Sequence, residues 1–156
     1  MAKIKKIRIF SLSLLILLVS VIPAACSNVI TSTITTSAFT GPPDKLEVLY
    51  FHSPTRCGSC LCFEDGITNV VNNDFSDELN SGKLTYNVYD IGESKNAELV
   101  KKYQAVGSAL YLNSIKDGVD HIVNVQEIWS WNCIIDPPGF ETKIKDTITD
   151  ALAGKQ

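Results

Sequence analysis

The stretch "KLEVLYFHSPTRCGSCLCFED", Lys45 to Asp65, changes its hydrophobic period halfway and carries three cysteines. Lys45 to His52 is a dense apolar run with strand character. Ser53-Pro54-Thr55 interrupts it. From about Cys57 the residues Phe63, Ile67, Val70, Val71, Phe75 and Leu79 recur at helical spacing, which predicts a helix reaching about Asn80. Gly66 is a kink point in that helix, and Ser81-Gly82 ends it. A strand thus leads straight into a helix, with Cys57 and Cys60 as a C-x-x-C at the junction.

Outward from this junction, "KLTYNVYDI" (Lys83 to Ile91) alternates as a strand does. Ser94 caps a helix carrying Ala97, Leu99, Val100 and Tyr103. Ser108 to Ile115 is a strand, Lys116-Asp117-Gly118 a hairpin turn, and Val119 to Val125 the antiparallel return. "QEIWSWNCIIDPP" has no clear period, and Trp129 and Trp131 read as cover for the sheet. Asp136 is placed to cap a last helix whose apolar stripe is Phe140, Ile144, Ile148, Ala151 and Leu152. The order is β-α-β-α-β-β-α. A β-α-β crossover requires parallel pairing of the first two strands, and the hairpin adds an antiparallel pair. The expectation is one α/β domain over 45–156, a mixed four-stranded sheet with flanking helices. About 110 residues suffice for one core.

From about Leu46 to Ala153 the chain resembles the thioredoxin-like superfamily, on "VLYFHSPTRCGSC" and "KKYQAVGSALYLNSIKDG". More narrowly, its "YFH…RC-x-x-C" opening and "KKY-x-V-x-S-x-L" segment resemble the nitrophenyl compound nitroreductase subunit ArsF family. The resemblance implies the minimal thioredoxin-like fold with the C-x-x-C as its active site. It also implies a facing loop at Ser108 and Ala109, and a protein thiol or disulfide partner or reductase subunit. The ArsF name adds electron delivery to a nitro compound or an association with arsenic resistance. Two features of ordinary thioredoxins are missing. No proline stands at Ser108 or Ala109, and "Tyr50-Phe51-His52" lacks the buried acid that relays a proton to the second cysteine.

The chemistry expected at the junction is thiol-disulfide exchange. Helix N-termini and neighbouring cations lower a thiol pKa. Cys57 has both, with Arg56 adjacent, so it is read as the attacking thiolate. Cys60 lies one turn further on the same face as the resolving thiol. Glu64, a turn beyond, disfavours a second thiolate there. His52 is a candidate proton exchanger, whereas His121 is read as structural. Cys62 lies about 200° round the helix from Cys60. Its favoured reading is a small buried apolar residue, with a bond to Cys133 left open. Two rival readings of the motif also stay open. If the helix began only after Cys62, then Cys57, Cys60 and Cys62 would converge as a soft site for Cu(I) or trivalent arsenic. Alternatively, the C-x-x-C is a permanent structural disulfide. No cofactor is expected, because the cysteines carry the electrons and the chain lacks a glycine-rich dinucleotide signature. Nitroreductase activity would need a separate flavin or metal partner.

The N-terminal region supplies the compartment. Lys3, Lys5, Lys6 and Arg8 precede an apolar run from Ile9 to Ile22, shorter than the roughly 20 residues that span a bilayer. Pro23-Ala24-Ala25 closes it as the small-residue end of a signal peptide over 1–25. Cys26 then resembles the lipidated cysteine of a lipobox, with Pro23 departing from the usual Leu, Val or Ile. Residues 26–44 are rich in Ser and Thr and end in Gly-Pro-Pro-Asp, a tether, with an extra edge strand as the rival reading. Loss of residues 1–25 removes those four cations and no acid, taking the formal charge from −3 to −7. An acidic chain argues against nucleic acid, which selects clustered Lys and Arg. The expectation is an exported cell-envelope protein, held on a membrane by lipidated Cys26.

Overall fold

Strand β1 (Lys45–His52) is apolar at five of its eight positions, Leu46 and Val48 to Phe51, because both of its faces are covered there. The computed structural model describes residues 41–155. Within them follow α1 (Gly58–Asp74), α2 (Ser76–Ser81), β2 (Leu84–Asp90), α3 (Ala97–Tyr103), β3 (Ala109–Lys116), β4 (Val119–Asn124) and α4 (Pro137–Leu152). Two short 3-10 turns, Ser94–Asn96 and Gln126–Ser130, precede α3 and α4. The sheet order is β2-β1-β3-β4. β1 and β2 run parallel, with Val48 opposite Tyr86. β1 and β3 are antiparallel, with Val48 opposite Leu112, and β3 and β4 are antiparallel, with Leu112 opposite Val123. The α/β class and the four-stranded mixed sheet are as the sequence pattern predicts.

Alternation along β1 divides the core in two. Leu46, Val48 and Tyr50 face Phe63, Ile67 and Val71 of α1 and Phe140, Ile144 and Ile148 of α4. Leu49 and Phe51 face Tyr103, Ala105 and Tyr111 on the α3 side, where the Phe51 and Tyr111 rings meet edge-on at 5.5 Å. Each fully buried large side chain contributes roughly 1.5–3 kcal/mol relative to exposure.

The long helix is two helices. α1 runs unbroken through Gly66 and stops at Asp74, where Phe75 leaves helical geometry at φ −124°. The apolar period continues to Leu79 because Phe75 and Leu79 still reach the same core, although the backbone has restarted as α2. Gly82 ends α2 in the left-handed region at φ 76°. Gly66 serves packing: a Cβ there would lie 2.7 Å from Phe140 Cε1, so its absence lets α4 close on α1.

The signal peptide read over 1–25, Cys26 and residues 27–40 lie outside the described residues. Residues 41–44 are bound into the domain. The Asp44 N–H donates to the Ile115 carbonyl, the Asp117 N–H donates to Asp44 Oδ2, and Lys83 Nζ donates to the Pro43 carbonyl. No described helix is long and apolar enough to cross a membrane.

Candidate functional site

Cys57 is the N-cap of α1, with φ −91° and ψ 167°, and it is exposed. Its Sγ accepts the Cys60 backbone N–H at 3.3 Å. That donor is one of the N–H groups a helix start leaves without an intrahelical partner. Cys57 and Cys60 form a disulfide across 5.1 Å between Cα atoms. Cys60 is only 6% exposed. The outer sulfur is therefore open to a partner and the inner one is shielded, an order that sequential attack and resolution require.

Beneath Cys60 lies Tyr50, fully buried on β1, whose hydroxyl donates to the Cys60 carbonyl at 2.8 Å. Burial pushes the Tyr50 hydroxyl above its ordinary range, and its hydrogen bond with Ser108 opposes this. That contact brings Ser108 to the motif, while Ala109 pairs with Phe51 in the sheet register. The start of β3 thus borders the end of β1. Among the described residues no peptide is cis.

Arg56 forms an ion pair with Glu64, and each side chain is 25% exposed. The two charges that the sequence reading assigned separately to Cys57 and Cys60 therefore meet each other. The Arg56 Nε is buried without a hydrogen-bond partner. His52 lies at the end of β1 with Nδ1 2.9 Å from the Ser53 carbonyl. A carbonyl only accepts, so the Nδ1–H donates.

Cys62 is not a lone packing residue. It forms a disulfide with Cys133, across 6.1 Å between Cα atoms and 71 positions of sequence. The 200° turn from Cys60 aims it at the segment between β4 and α4, which the sequence pattern did not place. In this oxidised form Cys62 is committed to Cys133, so the three thiols of the soft-ion reading do not converge. Among the described residues no group of three or more His, Cys, Asp or Glu is arranged to hold a metal ion.

The same segment brings apolar side chains to the motif. Ile134 Cδ1 would be 3.7 Å from a Cβ at Gly58. Trp131 packs on the core as cover, whereas Trp129 meets the Phe63 ring edge-on at 5.1 Å and stays half exposed. Sequence reasoning missed Tyr50 as the group under Cys60 and the Arg56–Glu64 contact. The first had a signal, a tyrosine at an inward-facing position of the strand that feeds the motif.

The strand order, its mixture of parallel and antiparallel pairings, and a C-x-x-C disulfide at the β1–α1 junction define a thioredoxin-like α/β domain. No protein-family model and no curated protein matches the chain. Among solved structures it is similar to Fasciola hepatica thioredoxin, at 20% identity over 70% of this chain and 83% of that one, with a TM-score of 0.37. A likeness of that size carries no argument, and the class rests on the topology itself.

Proposed function

We propose that this is an exported, membrane-anchored thiol-disulfide exchange protein acting through Cys57 and Cys60. The observation that carries the exchange reading is the asymmetry of the pair: Cys57 is exposed at a helix N-cap and bonded to a buried Cys60. In the reduced protein the Cys57 thiolate attacks a partner disulfide, expels one partner thiolate and forms a mixed disulfide. Cys60 then gives up its proton and attacks Cys57 Sγ, releasing the second partner thiolate. Two electrons and the one Cys60 proton pass to the partner, whose other thiolate takes its proton from solvent, and Cys57–Cys60 is left oxidised. A reducing partner runs the same steps backwards. Delivery of electrons to a partner reductase belongs to this reading through the "YFH…RC-x-x-C" and "KKY-x-V-x-S-x-L" segments alone.

A titration tests the exchange. The protein is equilibrated in dithiothreitol buffers, trapped by alkylation and read by mass at Cys57 and Cys60. A reversible two-electron couple above about −300 mV is expected, and a pair still oxidised below that value is a structural bond. Anchoring is supported by the basic start, the short apolar run and Ala24-Ala25-Cys26. Cys26→Ser should move the protein from the membrane fraction to the soluble one; unchanged fractionation would remove the lipid anchor from the proposal.

A further inference from the structure

The charges nearest the redox pair cancel. Arg56 immediately precedes Cys57, and Glu64 lies one helical turn beyond Cys60. Their ion pair spans the start of α1 with both side chains mostly out of water. Both charges act, with opposite signs, on the hydroxyls of Tyr50 from β1 and Tyr86 from β2. The pair therefore sits between α1 and the β1–β2 side of the sheet. A lone cation beside Cys57 would favour its thiolate, whereas a paired cation presents a dipole whose field falls off faster.

Other titratable groups around the motif leave this balance intact near neutrality. Burial holds Tyr50 above its ordinary range and Tyr86 at about 12, so both are uncharged there. What remains to favour a Cys57 thiolate is the Cys60 N–H at 3.3 Å and the helix start.

We infer that Glu64 is a positioning residue for the redox pair. Its carboxylate holds the Arg56 guanidinium, offsets that cation's pull on Cys57 and so sets the acidity of the attacking thiol. This rests on Cys57 being the attacking thiol, but its test does not need the pair to cycle.

The test uses the full-length chain carrying Cys60→Ser, in which Cys57 is a free thiol. Iodoacetamide alkylation of Cys57 is followed against pH and resolved from the other cysteines by peptide mass. Glu64→Gln should lower the midpoint and make alkylation about two- to threefold faster at pH 7, the gain expected from a partly buried, partly screened cation. Arg56→Gln should shift the midpoint the opposite way by a similar amount. The double variant should return close to the parent, and Glu64→Asp should restore part of the offset. A merely structural clamp predicts that both single variants move the midpoint in the same direction. That outcome, or a Glu64→Gln midpoint equal to the parent's, overturns the inference. Opposite shifts together with a failed redox titration would remove the exchange reading and keep this one. Same-direction shifts with a working couple would do the reverse.

Discussion

The Cys57–Cys60 bond closes a span of three residues at the exposed start of α1, whereas Cys62–Cys133 joins positions 71 apart and ends on a sulfur in a residue only 3% exposed. One helix carries both bonds on opposite sides. The redox side holds Cys60, Glu64 and Thr68, facing Tyr50 and Tyr86 of the sheet. The other side holds Cys62, Gly66 and Asn69, facing Cys133, Phe140 and Glu141. A two-residue step along a helix is enough to separate a bond made for exchange from one made for holding. The chain-entropy account gives them different weights, about 4 kcal/mol for the long loop and under about 2 kcal/mol for the short one.

The largest expected effect tests that division. Cys62→Ala with Cys133→Ala should lower stability by about 4 kcal/mol, while Cys57→Ala with Cys60→Ala should lower it by under about 2 kcal/mol. Urea unfolding of the two double variants measures both. Equal losses would mean that the short bond is also structural, and the comparison would collapse. Mild reduction sharpens it, since Cys57–Cys60 should open first and Cys62–Cys133 should resist until the protein unfolds.

Much of this arrangement is legible in the residues. The period change at Ser53-Pro54-Thr55 marks the β1–α1 junction, and the Lys116-Asp117-Gly118 turn marks the hairpin, because both depend on local chemistry. The helix break at Phe75 is not legible, since Phe75 and Leu79 keep an apolar period across a backbone that restarts. Cys133 could be named as a partner for Cys62 but not chosen: "QEIWSWNCIIDPP" has no period, and its path is set by what it packs on. The Arg56–Glu64 pair was hidden for a related reason. Each charge has a nearer cysteine in sequence, and only the fold brings the two together.

Gly66 probes the holding side at intermediate size. A Cβ at this position would lie 2.7 Å from Phe140 Cε1 and 2.8 Å from Cδ1, against a fully buried ring. Alanine normally gains up to about 1 kcal/mol over glycine within a helix. Overpacking of this kind costs about 1–3 kcal/mol. Gly66→Ala should therefore be net destabilising by up to about 2 kcal/mol in urea, with the Cys57–Cys60 potential unchanged. A shift in that potential would show that the two sides of α1 are coupled.

The smallest effect separates the sides by pH. Burial raises the hydroxyls of Tyr50 and Tyr86 above the ordinary tyrosine value, Tyr86 to about 12 despite its hydrogen bond with Thr68. The sign follows from linkage. In the unfolded chain these tyrosines lose their protons near the ordinary value of about 10, while the folded domain still keeps them. Their contribution is thus complete below about pH 10 and is lost as pH rises through the folded value. The redox side of α1 is therefore the side that alkali loosens. On the holding side Cys62–Cys133 does not titrate. Urea unfolding of the oxidised protein between about pH 9 and 11.5 should show stability falling with pH, and Tyr86→Phe should flatten that fall. The fall should not vanish, because burial also raises Tyr103 on the far face of the sheet. An unchanged slope in Tyr86→Phe would mean that the alkaline loss arises elsewhere, and the pH distinction between the two sides of α1 would go with it.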